Sequence, residues 1–356
     1  TDTCAANAWA PLSADIERDL VFVSTSSPSP DFFGGERLGD NHYANSLVAL
    51  DGQTGKVGWF RQLVHHVVWD YDLPAQPTLT TITYQGQTYE AVVVVTKTGM
   101  LFAFDRATGE AIYPIEERPV PQTDVPGEVT SPTQPFSTIP ALADQSAITP
   151  EDVFGVAFFD KRSCKKQIKA ARSEGIFTPP SLQGTLMNPG YAGGSNWGGV
   201  AVDAGRQIAV TNVIQTPALV RLIPRDQLAT LQQSGALKGW SIAEQKGTPY
   251  YMARRFLLSP MGLPCTKPPW GKLVAVDLTA GEVLWQQPLG SIKNLAPAVV
   301  PNLNWGVPNL GGALMTGYGL VVIGAAAEHL MRIIRTETGE IIWSTNLPAA
   351  AMSTPM

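Results

Sequence analysis

Four segments read LVALDGQTGKVGW (Leu47 to Trp59), LFAFDRATGEAIY (Leu101 to Tyr113), LVAVDLTAGEVLW (Leu273 to Trp285) and MRIIRTETGEIIW (Met331 to Trp343). They align on Gly55, Gly109, Gly281 and Gly339. Four residues before the glycine stands Asp51, Asp105, Asp277 or Arg335, and four after it Trp59, Tyr113, Trp285 or Trp343. The flanks alternate as a half-buried hairpin does. An Asp side chain bonds the backbone of a tight turn, and glycine supplies its positive φ. The aromatic emerges on the second strand at a fixed place, suited to packing against a neighbouring unit. The outer pairs of glycines are separated by a period of ~55 residues, longer than the ~40–45 of WD40 blades. The middle gap holds about three such periods. One or two degraded units are therefore expected between residues 120 and 270. GGVAVDAGRQIAVTN (Gly198 to Asn212), a hairpin turning at Asp203-Ala204-Gly205, is one trace. Repeats of this length with four strands each predict an all-β chain, a β-propeller.

Composition agrees with short strands joined by turns. The chain has 356 residues, 33 of them Gly and 29 Pro; 44% are hydrophobic, 15% charged, and the net charge is −5. So few charges exclude a disordered chain. No apolar run reaches the ~18–20 residues that span a bilayer. The acidic balance argues against nucleic acid as a partner. One local exception is Lys161, Arg162, Lys165, Lys166, Lys169 and Arg172, spaced as on a helix. It reads as a solvated helix face, or as a docking surface for a partner or anionic lipid headgroups. Cys4, Cys164 and Cys265 are too few for a disulfide scaffold or a zinc ribbon. They are buried small hydrophobes, or Cys164 and Cys265 pair; both readings stay open. The start at Thr1, with no initiator Met, suggests a piece of something longer. Pro-rich stretches at Pro114 to Pro140 and Leu257 to Pro269 read as long loops over one face, with short helices expected from Pro150 to Arg172. One propeller domain, 1–356, thus carries long loops near 114–195 and 214–270.

Three patches could carry chemistry. The densest follows the first repeat: His65, His66, Trp69, Asp70, Tyr71 and Asp72, closed by Pro74-Ala75-Gln76-Pro77. Two histidines and two aspartates so close are metal ligands or a general base, or else caps of a Pro-rich turn. Lys97, in VVVVTKTG, follows a buried strand; it either faces a site or leaves the strand for solvent. GGSNWGG (Gly193 to Gly199) lets the backbone approach something closely, or is a bulged turn burying Trp197.

HHVVWDYDLPAQPTL followed by VVVVTKTGMLFAFDRATG resembles the pyrroloquinoline quinone (PQQ) dehydrogenases, in the membrane-associated glucose, quinate and polyol branch. SPTQPFS (Ser131 to Ser137), EGIFTPPS (Glu174 to Ser181), NWGG (Asn196 to Gly199), SPMGLPCTKPPWG (Ser259 to Gly271) and LPAAAMSTPM (Leu347 to Met356) fit the same branch. The resemblance implies an eight-bladed fold, of which this chain is an incomplete C-terminal portion of about six blades by its length. It implies oxidation of a sugar or polyol hydroxyl in the periplasm, electrons passing to ubiquinone, and inner-membrane attachment through a segment outside this chain. It implies Asp70 as the carboxylate base, Lys97 on the quinone oxygens, Trp9 stacked beneath the PQQ ring, and Asn212 beside the cofactor. Glu328 stands where close relatives have an aspartate. His65, Asn196 and Trp197 are further cofactor candidates. Ser29 and Asp31 match a metal-contacting position loosely, for Ca²⁺ or Mg²⁺. The rival is a non-catalytic propeller scaffold of the outer-membrane assembly lipoprotein type, which lacks the WDYD and TKTG pair.

Overall fold

The computed structural model describes residues 6–294 and 303–355. Strands β1 (Ser13–Asp15), β2 (Leu20–Ser24), β3 (Ser46–Asp51) and β4 (Val57–Gln62) form an antiparallel sheet in chain order, blade I. Blade II holds β5 (Thr78–Tyr84), β6 (Gln87–Val95) and β7 (Leu101–Asp105), with Phe104 bridging to Ala111 where a fourth strand would run. There follow a separate hairpin, β8 (Ile115–Pro119) and β9 (Thr133–Ser137), helix α1 (Phe158–Lys169) and β10 (Thr185–Met187). Blade III begins with β11 (Ala201–Asp203) and β12 (Ile208–Ile214). Before it resumes, the chain makes β13 (Ala218–Pro224), α2 (Leu228–Gln233), β14 (Ser241–Ala243) and β15 (Tyr250–Phe256). It then returns as β16 (Gly271–Asp277), which pairs with β12 from Ile208↔Asp277 to Ile214↔Gly271, and β17 (Glu282–Pro288). Blade IV is β18 (Ala313–Met315), β19 (Leu320–Ile323), β20 (Leu330–Arg335) and β21 (Ile341–Asn346). The leading strands stand side by side, β5 between β1 and β11, with β18 beyond β11.

Each repeat is the last hairpin of a blade. Asp51 Oδ1 accepts the Thr54 amide at 2.7 Å and Asp277 Oδ1 that of Thr279 at 2.8 Å. The four glycines turn at φ of +68°, +68°, +70° and +74°, a region costly to residues with a Cβ. Arg335 offers no such cap, yet Gly339 still donates to its carbonyl at 2.9 Å.

The aromatics weld blade to blade by one rule. Trp59 lies on Gly109 and donates to Arg106 O at 2.9 Å; Trp285 lies on Gly339 and donates to Thr336 O at 2.8 Å. Tyr113 lies on Gly281 and its hydroxyl donates to Leu278 O. In every case the acceptor is the residue three before the glycine. Glycine is needed under the ring, since a Cβ at 109 would sit 2.5 Å from Trp59 Cδ2.

The β-propeller architecture stands, but its spacing reads differently. The described residues hold four blades where length suggested about six, and no degraded unit fills the middle gap. The Gly198 to Asn212 hairpin is instead the front half of the blade that the third repeat completes. The residues between build a cap: a sheet ordered β10-β13-β15-β14 and the β8–β9 hairpin. Residues 114–140 and 214–270 are thus loops interrupted by short strands, β8 and β9 in the first and β13 to β15 in the second. Val220, Leu222, Tyr250 and Met252 of the cap belong to the same buried apolar cluster as Phe22, Trp69, Tyr71, Phe102 and Phe177. Cys164 of α1 is bonded to Cys265 at a Cα–Cα distance of 5.3 Å, resolving the open choice; Cys4 lies outside the described residues.

Candidate functional site

The segment after β4 passes inward beneath the cap. Trp69 and Tyr71, both fully buried, anchor it: Trp69 Nε1 donates to Thr178 O at 2.9 Å, and Tyr71 packs on Phe177. Between these anchors Asp70 adopts the left-handed conformation, with a φ of +57°. Asp is among the few residues that adopt this conformation readily. The two neighbours are buried in the core, whereas the Asp70 side chain keeps 20% of its surface exposed.

Lys97 leaves β6 at its inner end and meets Asp70 there. Its Nζ donates to Asp70 Oδ1 at 3.0 Å, Asp72 Oδ2 at 2.9 Å and Asp70 O at 2.9 Å. An ammonium has three protons, and all three are used. The side chain does not run to solvent; only 8% of it is exposed. Burial pulls the Lys97 pKa down, but the charges of Asp70 and Asp72 outweigh this and hold it above the usual lysine value. Asp70 moves the opposite way. Burial pushes it up to about 6, Lys97 pulls it back, and the negative charges of Asp72 and Asp31 add to the rise.

The GGSNWGG stretch is the wall behind Lys97. A Cβ on Gly193 would lie 2.5 Å from Lys97 Cγ, and one on Gly194 2.6 Å from Gly99 Cα. Gly194 N donates to Lys97 O at 2.7 Å. What Gly193 and Gly194 approach closely is thus the TKTG loop itself, while Gly198 lies against the Gly311 backbone. Trp197 is not buried by this turn; 42% of it is exposed, with Nε1 donating to Met352 O at 3.0 Å. Asn196 is buried and donates to Ala192 O.

Other candidates are placed less directly. Trp9 is 44% exposed, two residues beyond Asn7, which pairs with Ser26 beside the Asp72 contact at Ser27. Asp31 Oδ1 accepts from Gln245 at 3.0 Å, while Ser29 is exposed. Asn212 is buried against Asn309, its Nδ2 2.6 Å from Asn309 Oδ1. Glu328 is buried with Arg332 and accepts from Ser291 N at 2.9 Å. His65 is held by Gln62 and Glu117, each at 3.0 Å from a ring nitrogen. None of these last three touches the Asp70–Lys97 pair. Among the described residues no three His, Cys, Asp or Glu side chains converge as a metal's ligands would.

Sequence reading missed Arg254. From β15 of the cap its Nη1 reaches Asp70 Oδ2 at 3.2 Å, while the guanidinium lies over the Tyr191 ring at 4.4 Å. Asp70 therefore has one cation on each carboxylate oxygen. The only hint in the sequence was an Arg-Arg pair inside an alternating strand.

Residues 1–356 match in full the PQQ family model described as "Glucose/ethanol/alcohol dehydrogenase, beta-propeller domain". The chain belongs to this family. This PQQ-dehydrogenase propeller is 40% identical over 359 residues to the quinoprotein glucose dehydrogenase A of Acinetobacter calcoaceticus, covering 98% of this chain and 45% of the relative. It is 35% identical to the quinate/shikimate dehydrogenase (quinone) of Acinetobacter baylyi, covering 98% and 44%. The chain thus spans less than half the length of these relatives. Among solved structures, a europium-containing methanol dehydrogenase superposes with a TM-score of 0.63 at 16% identity, over 98% of this chain and 48% of that one. The likeness is one of fold. Among the described residues no helix is long and apolar enough to cross a membrane.

Proposed function

We propose that the Asp70–Lys97 site oxidises a hydroxyl of a sugar, polyol or cyclic hydroxy acid with PQQ as cofactor, in a periplasmic protein attached to the inner membrane that passes electrons to ubiquinone. The observation that carries this is the half-buried Asp70 carboxylate gripped by Lys97 and Arg254. A disulfide between Cys164 and Cys265 suits an oxidising compartment such as the periplasm.

The residues present suit a flat, anionic quinone. Lys97 and Arg254 supply positive charge, and Trp9 and Trp197 expose aromatic faces. Ser195 Oγ, between Gly194 and Asn196, is buried with no partner among the described residues, which leaves it for a ligand. When bound, PQQ supplies the two-electron acceptor. The described residues do not assemble a metal site, so no step below depends on Ca²⁺ or Mg²⁺.

In this reading Asp70 takes the substrate hydroxyl proton. With a pKa of about 6 it is mostly ionised at neutral pH, yet basic enough to accept a proton as the C–H bond breaks. Release of one Lys97 N–H from Asp70 Oδ1 frees a lone pair for the substrate. Asp72 keeps the ammonium nearby meanwhile, and Arg254 steadies Oδ2 so that Oδ1 is the reacting oxygen. The cap, which brings Arg254, shields the pair from much of the solvent.

The test is dye reduction by the full-length protein reconstituted with PQQ and Ca²⁺, over a panel of aldoses, quinate and polyols. Turnover with at least one class is expected. No turnover anywhere, with PQQ shown to be bound, sinks the proposal. Asp70→Asn should lose about 10²–10⁴ in kcat while PQQ still binds, the range for a positioned base. Retained activity would remove Asp70 from the role.

A further inference from the structure

Beside α1 lies a cavity of about 420 Å³ that shares no lining residue with the Asp70–Lys97 group. Lys166 and Gln167 of α1, Gln183, Arg221 of β13, Arg255 of β15 and Trp240 line it. Arg255 stacks on the Trp240 ring at 4.7 Å, and its Nη2 donates to Gln167 Oε1 at 3.1 Å. Its Nε is buried and has no partner among the described residues. Arg221 uses its Nε on Leu182 O at 2.9 Å. No acidic side chain is among the described residues that line the cavity, and Lys166, Arg221 and Arg255 form no ion pair with any described residue. Burial holds the Arg255 pKa below the usual guanidinium value, with no carboxylate to offset it.

Arg221 and Arg255 are half-buried here with no counter-charge among the described residues, which is costly, and exposed Lys166 stands at the same hollow. They repel one another, and the orphaned Nε is desolvated with nothing in return. An anion with several acceptor oxygens removes both costs at once. Guanidinium groups match the oxygens of phosphate, and the indole offers a wall for the rest of the molecule. The exposed Lys161, Arg162, Lys165 and Lys169 on the outer face of α1, without an ion pair among the described residues, raise the local potential further.

We propose that this cavity is a binding site for a phosphate ester, held by Arg255, Arg221 and Lys166 with its organic part against Trp240. A soluble organic phosphate and the headgroup of an anionic phospholipid share this chemistry.

The full-length protein is titrated calorimetrically with glycerol 3-phosphate, and separately sedimented with phosphatidylglycerol or phosphatidylcholine vesicles. Saturable binding is expected in at least one arm, weakening as salt rises. Lys166→Ala and Arg255→Met should each weaken it about tenfold or more, as loss of a charge-assisted contact does. Lys56→Ala, in a distant turn, should leave it unchanged. Binding of the soluble ester assigns a free phosphate compound; sedimentation with phosphatidylglycerol alone assigns a headgroup. No saturable binding up to roughly 10 mM ester and none to vesicles overturns the site. So does binding that Lys166→Ala, a change on an exposed face that the fold tolerates, leaves intact.

Discussion

At Lys97 one ammonium commits all its protons within the protein, two to Asp70 and one to Asp72. The commitment sets the charge state of the pair. Since burial and Asp72 hold the Asp70 carboxyl up to about 6, kcat/KM should rise as pH increases through about 6 and level above it. The sign follows from a base that works only when deprotonated. Removing the Asp72 charge removes one of the influences that raise Asp70, so Asp72→Asn should move this limb to lower pH. A limb that stays in place or moves up shows that Asp72 does not act on Asp70 by its charge. At this scale the sequence was half legible. Asp70 and Lys97 sit in compact motifs, WDYD and TKTG, which short-range reading finds. Arg254 lies 184 residues from its partner in a strand with no motif, and only the folded cap brings it there.

Among elements, the hairpin glycines separate turn chemistry from docking. Gly55 and Gly109 share a φ of +68°, but nothing lies within 4 Å of a Cβ at 55, whereas Trp59 covers the position at 109. Gly55→Ala should cost about 1–2 kcal/mol, the price of a left-handed L-residue. Gly109→Ala should cost that and the displacement of Trp59 as well. Trp285→Ala, which empties a blade–blade joint, should cost about 3–5 kcal/mol. Chemical denaturation measures all three; equal losses at 55 and 109 would remove the docking role. The hairpins were legible because local turn rules write them. The blade count was not, because a cap strand alternates as a blade strand does, and nothing local says that β13 to β15 interrupt a blade.

For the whole molecule, the Cys164–Cys265 bond ties α1 to the end of the insertion across 101 residues of chain. A loop of about that length is worth up to ~4.7 kcal/mol through the unfolded state, with 2–5 kcal/mol the usual loss. Cys164→Ser with Cys265→Ser should therefore lower Tm, and the cap should become the first region open to proteolysis. Cleavage that starts in the blades would show that the bond does not secure the cap. The resemblance to PQQ dehydrogenases was legible across the chain because its motifs are contiguous. The cap's architecture was not, since a disulfide and a non-sequential sheet are fixed only by folding.

The two walls around Asp70 differ in how freely they can change. On one side Gly193 and Gly194 touch the Lys97 loop with bare backbone, and any side chain there displaces Lys97 or Gly99. On the other, Arg254 reaches the carboxylate from the cap with its side chain, and the Tyr191 ring supports that guanidinium. Laboratory evolution of new substrate preference should fix its useful mutations in the second wall. The first should stay silent, a stretch where drift is closed off by lack of room.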